Sequence, residues 1–174
     1  MIKNYNTYKI LELFFRYPSK SFQLREISRL TKLGMPSIQD HIKILAREGF
    51  IKKNKGAVYP NYSASKSERF RIYKRNHVLT DIYESGLLDL LENTFTPNAI
   101  VLFGSASKGE DLEDSDIDLL VIAKEKVVNL KKFEKRLNRK IHILYEGSID
   151  SLPKELLNNV INGIIIYGYL KVFE

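Results

Sequence analysis

Residues 99–123 read AIVLFGSASKGEDLEDSDIDLLVIA, two apolar runs around a Gly-Ser turn and an acidic loop. Ala99 to Phe103 predicts a strand, and residues 116–123 predict a second one that opens with Asp116-Ile117-Asp118. Side chains alternate faces along a strand, so both carboxylates point the same way and can share a divalent cation. The Gly104-Ser105 turn leaves backbone N–H groups and a hydroxyl to hold phosphate oxygens. A phosphate grip beside a two-carboxylate metal site is the minimum equipment for moving a nucleotidyl group from a nucleoside triphosphate. Gly104 to Gly109 also has P-loop glycine spacing, but Glu110 stands where a lysine is required and would repel phosphate.

Outward from this stretch, strands and helices alternate. The patterns predict a strand at 98–103, a short helix at 105–111, a strand at 116–123 and a helix at 130–138. A strand at 140–145, a helix at 152–162 and a last strand near 164–167 follow. The run Leu119 to Ala123 is continuously apolar, as in a strand covered on both faces. This order implies an α/β (α+β) domain with a mixed sheet flanked by helices. Glu110, Asp111, Glu113 and Asp114 read as a solvated loop.

The Gly-Ser pair, the ten-residue gap and the Asp-x-Asp pair resemble the minimal nucleotidyltransferases of the DNA polymerase β-like superfamily, over roughly residues 95–174. Asn162-Gly163 and the apolar run after it resemble that family's closing helix-to-strand segment. The spacing is similar to that of antitoxin-type members, which transfer AMP to a partner protein. The resemblance implies that Asp116 and Asp118 hold Mg²⁺ or Mn²⁺. It also implies that Gly104 and Ser105 hold the outer phosphates of an NTP, with ATP the favoured donor and Lys108 an added cation. The family usually places a third carboxylate on a later strand; the matching strand here reads Lys140-Ile141-His142-Ile143-Leu144. His142 then serves as base or metal ligand, or is a packed residue in a degenerate site. Glu146 shares its face but lies about 13 Å further along a regular strand, reachable only through a bend.

Charge divides the chain. Residues 1–65 hold 12 Lys/Arg and 4 Asp/Glu, whereas residues 66–174 hold 16 and 17. A basic N-terminal module that meets polyanions is the implied partner of a nearly neutral one. Ile10, Leu13, Phe14 and Tyr17 follow helical spacing up to Pro18; Leu24, Ile27 and Leu30 form a second helical pattern. Pro36 opens a third helix carrying Ile38, Ile42 and Leu45, and Gly49 ends it. Lys52 to Gly56 reads as a basic hairpin tip, and residues 57–63 as the return strand. Three helices and a hairpin in this order resemble a winged helix-turn-helix at residues 1–65. That resemblance puts Ser37, Gln39, Asp40 and Lys43 near bases and phosphates of double-stranded DNA, and Lys52, Lys53 and Lys55 on its backbone. Asp40 departs from the family tendency; a carboxylate there accepts from a cytosine amino group or repels phosphate.

Residues 66–94 read as a basic linker and connecting helix. KSERFRIYKR (66–75) is its exposed start, and Gly86 weakens or breaks the helical pattern from Val78. His41 and His77 read as structural or solvent-facing. The absence of cysteine excludes disulfides and thiolate metal sites. No apolar run approaches the ~20 residues that span a bilayer, and the start MIKNYNTYKI lacks a signal-peptide core. The expectation is a cytoplasmic protein with no membrane partner. A homodimer fits winged helices that read paired half-sites. The acceptor is a macromolecule such as a partner protein; the alternative is a transcriptional regulator whose transferase domain only senses nucleotide or dimerises.

Overall fold

In the computed structural model, which describes residues 5–54 and 59–171, the chain divides into two units, Met1–His77 and Val78–Glu174. In the first, apolar residues on one side of α1 (Asn6–Arg16) bury Ile10, Leu11, Phe14 and Phe15. A short strand β1 (Ser21–Gln23) precedes α2 (Leu24–Thr31) and α3 (Met35–Arg47), and β2 (Ile51–Lys53) and β3 (Asn61–Ala64) complete the sheet. Pro36 sits in the first turn of α3, where a missing N–H costs nothing because that group has no intrahelical acceptor. β3 lies between β1 and β2 and is antiparallel to both. Phe14, Phe22, Ile27, Ile38, Ile42 and Leu45 meet in one core.

Two residues on the helical apolar patterns of α1 and α2 stay largely exposed. Tyr17 and Leu30 remain 39% and 46% exposed, because α1 stops at Arg16 and α2 buries only Ile27. The segment after Lys66 is also less exposed than its composition suggests. From Glu68 it is helical, and Phe70 is buried with its ring 5.2 Å from that of Phe15. The boundary between units falls inside this helix, α4 (Glu68–Ser85). Gly86, with φ at +80°, separates α4 from α5 (Leu87–Phe95).

The second unit is built on a four-stranded mixed sheet in the order β6-β5-β4-β7. Its strands are β4 (Ala99–Phe103), β5 (Ile117–Ile122), β6 (Ile141–Glu146) and β7 (Ile164–Gly168). β4 is antiparallel to β5 and β7, while β5 and β6 run parallel. The chain between them forms α6 (Gly104–Lys108), α7 (Lys131–Leu137), a 3-10 turn (Ile149–Ser151) and α8 (Lys154–Ile161). Ile100, Leu102, Ile117, Leu119 and Val121 pack on one face with Leu91, Phe95 and Phe133. Val101, Phe103, Leu120 and Ile122 pack on the other with Ile149, Leu152 and Val160. Coverage on both faces explains why β4 and β5 are continuously apolar. A Cβ at Gly163 would stand 2.6 Å from the Leu102 carbonyl oxygen, so only glycine lets the chain turn from α8 into β7 this close to β4. Among the described residues no helix is long and apolar enough to cross a membrane.

Candidate active site

The site begins where β4 ends. Gly104 follows Phe103 with φ at +71°, in the left-handed region that side chains resist. The α6 turn closes when Ser107 Oγ donates to the Gly104 carbonyl at 2.8 Å. Gly109, also left-handed, ends it after Lys108, so the short helix stops three residues before the sequence pattern suggested. Ser105 is half-buried and Lys108 exposed.

Gly104 has a second constraint. A Cβ built on it would strike the Asp118 carboxylate at Oδ2. Asp118 is the second residue of β5, opposite Phe103 on β4 and in register with His142 on β6. Its other oxygen, Oδ1, lies 3.3 Å from His142 Nδ1. Thus one carboxylate has the Gly104 backbone at one oxygen and an imidazole at the other. His142 is largely exposed and Asp118 half-buried. The intervening Ile117 and Leu119 are buried on the opposite face, so Asp116 has the same strand parity as Asp118. Asp116 itself is exposed, one residue before β5 begins.

The residue that fixes this lead-in is Arg139, which the sequence reading did not single out. Its guanidinium donates to the Ser115 carbonyl through Nε at 2.8 Å and to the Asp116 carbonyl through Nη2 at 2.8 Å. Nη1 reaches Asp111 Oδ2 at 2.9 Å. Asp111 is therefore no solvated loop residue: it is 4% exposed and paired with the guanidinium. An arginine fork suits this task because its donors diverge in fixed directions. The loop acids Glu110 and Asp114 are exposed, as the composition suggested. Glu146 does not substitute for a third carboxylate. β5 and β6 stay in continuous register as far as Ile122 and Glu146, with no bend, and Glu146 accepts from Ser151 Oγ at 2.7 Å. Among the described residues, no group of three or more Asp, Glu or His side chains is gathered for a metal ion.

The other candidate surface lies in the first unit. α3 exposes Gln39, Asp40 and Lys43, with Ser37 half-buried. Asp40 Oδ1 lies 3.7 Å from Lys43 Nζ, one turn away. Lys52 and Lys53 are exposed on β2, and Lys55 lies outside the described residues. His41 and His77 have structural partners: Thr7 Oγ1 at 2.8 Å from His41 Nδ1, and the Tyr8 hydroxyl at 2.9 Å from His77 Nδ1.

Residues 85–169 match the family model of the nucleotidyltransferase domain. This segment is thus similar to nucleotidyltransferase domains over just under half of the chain. The match spans β4 through β7 and contains Gly104, Ser105, Lys108, Asp116, Asp118 and His142. No curated protein and no solved structure matches the chain. The general chemistry of a nucleotidyltransferase domain is nucleotidyl transfer, drawing on a nucleoside triphosphate and a divalent cation. The donor set suits such a cation. Asp116 and Asp118 offer hard carboxylate oxygens, and Mg²⁺ is typically held by one or two carboxylates together with substrate phosphates. The absence of a Cβ at Gly104 makes the room that Asp118 Oδ2 occupies beside the turn.

Proposed function

We propose that this protein transfers a nucleotidyl group, AMP from ATP, to a macromolecular acceptor and binds double-stranded DNA through a winged helix-turn-helix in its first unit. The observation that carries the transferase reading is Asp118, flanked by Gly104 at Oδ2 and His142 at Oδ1. Asp116 and Asp118 hold the cation, Mg²⁺ or Mn²⁺, and Gly104 and Ser105 hold the outer phosphates with Lys108 nearby. When bound, the cation neutralises phosphate charge around the α-phosphorus. The acceptor hydroxyl oxygen bonds to that phosphorus, the α–β bridging bond breaks, and pyrophosphate leaves. Asp118 orients the imidazole of His142 through Nδ1, which leaves Nε2 to take the hydroxyl proton.

Calorimetric titration of ATP into the full chain tests this reading. Binding is expected with Mg²⁺, and is expected to vanish with EDTA or in the Asp116→Ala/Asp118→Ala variant. Equal binding by wild type and variant would overturn it. A second reading is favoured by one observation: an imidazole, and not a third carboxylate, faces Asp118. The domain would then be a nucleotide sensor or dimerisation module in a transcriptional regulator. It predicts Mg²⁺-dependent ATP binding with no pyrophosphate release for any acceptor offered.

The DNA assignment rests on the order α1-β1-α2-α3-β2-β3, the exposed polar face of α3 and the +8 formal charge of residues 1–65. Each phosphate contact contributes about 0.9 to the slope of log affinity against log salt. A Lys52→Ala/Lys53→Ala variant is therefore expected to lose nearly two units of slope on duplex DNA. An unchanged slope in filter-binding or anisotropy titrations would remove these lysines from the interface.

A further inference from the structure

The second unit carries a concentrated positive surface that neither the family match nor the DNA reading assigns. Residues 131–140, KKFEKRLNRK, hold six Lys/Arg and one Asp/Glu, a net of +5. The rest of residues 78–174 holds five Lys/Arg and fifteen Asp/Glu, a net of −10. Six of the eleven Lys/Arg of this unit thus fall within ten residues on α7 and the loop leading into β6, while the remainder of the unit is net acidic. Lys131, Glu134, Lys135, Asn138, Arg139 and Lys140 line a groove of about 470 Å³ there. Lys131, Lys132, Lys135 and Lys140 are exposed. Lys131, Lys135 and Arg139 recur every fourth residue in sequence.

This groove adjoins the site through the chain itself. Lys140 is two residues before His142, and Arg139 grips the Asp116 carbonyl. We infer that the groove along α7 is where the phosphate backbone of a nucleic-acid strand docks, as the acceptor whose hydroxyl is presented to Asp118 and His142. This rests on the transferase reading above and narrows its acceptor to a nucleic acid. Local potential explains the selectivity: a positive groove set in an acidic domain concentrates a polyanion at one place and repels it elsewhere. A membrane surface fits less well. Interfacial helices insert exposed Trp, Phe or Leu, whereas Phe133 is buried and Leu137 packs on the core.

The test uses the full chain and a fluorescein-labelled 20-nucleotide single-stranded RNA in anisotropy titrations over a range of salt. A Lys131→Gln/Lys135→Gln/Lys140→Gln variant is expected to bind at least tenfold more weakly near physiological salt. Its log–log salt slope is expected to fall by about two, at about 0.7 per lost single-strand phosphate contact. The Lys52→Ala/Lys53→Ala variant keeps the wild-type RNA slope if the strand docks on α7. An unchanged slope in the triple variant overturns the proposal. So does displacement of the RNA by polyglutamate of matched charge, or equal loss of binding to phosphatidylserine vesicles, since either names another partner class. Mg²⁺-dependent ATP binding, measured in the same triple variant, is expected to stay at the wild-type level. Its absence from wild type would instead sink the underlying transferase reading.

Discussion

An Arg139→Ala variant is expected to lose about 3–5 kcal/mol of stability in its second unit, the usual cost of removing one partner from a buried ion pair. The side chains of Arg139 and Asp111 are only 13% and 5% exposed. Deleting the guanidinium leaves the Asp111 carboxylate buried without that cation and strips the Ser115 and Asp116 carbonyls of their donors. For a domain near 100 residues this corresponds to a fall in melting temperature of roughly 12 °C or more. Calorimetric scans of wild type, Arg139→Ala and Arg139→Lys measure it. Lysine keeps the charge but lacks the fork, so it is expected to recover only part of the loss. A change within about 0.5 kcal/mol, typical of a surface substitution, would show that this cluster does not hold the loop.

The second large effect falls on binding. Gly104→Ala is expected to weaken Mg²⁺-dependent ATP binding more than about tenfold, because two penalties meet at one atom. A left-handed backbone costs a non-glycine residue about 1–2 kcal/mol. The new methyl would also collide with Asp118 Oδ2, and overpacking typically costs about 1–3 kcal/mol. Relief requires turning the Asp118 carboxylate away, which alters its relation to His142. Gly147→Ala is the control, since nothing lies within 4 Å of a Cβ there, and wild-type binding is expected from it. Unchanged ATP affinity in Gly104→Ala would mean that Asp118 takes no part in holding the nucleotide complex.

Local regularity in the sequence reached far into this fold, and its failures have a common cause. Ile38, Ile42 and Leu45 are buried at the helical spacing that singled them out, and β4 and β5 read as continuous apolar runs. β1 was invisible because three residues carry no usable period; it exists through its pairing with β3, some 40 residues on. The Asp111–Arg139 pair spans 28 residues, and an acid in an acidic loop looks solvated until its partner arrives. Phe70 looked exposed among basic residues, yet the first core takes it in. Within the site, the meeting of Asp118 with His142 depends on which strand lies beside β5. Neither strand states that alone; the family resemblance suggested the position, and the parallel register of β5 with β6 sets the contact. The close approach of Gly104 to Asp118 likewise arises only when β4 and β5 pair.

The placement of β4 between β5 and β7 has a consequence for synthesis. Its neighbour β5 follows within about 20 residues, but β7 pairs with it roughly 65 residues later. At translation rates of about 5–20 residues per second, that leaves one edge of an Ala-Ile-Val-Leu-Phe strand uncovered for roughly 3–13 s. Open apolar edges recruit other strands. A nascent chain stalled between α7 and β7 would therefore present an adhesive edge, and a holding chaperone would have its target there.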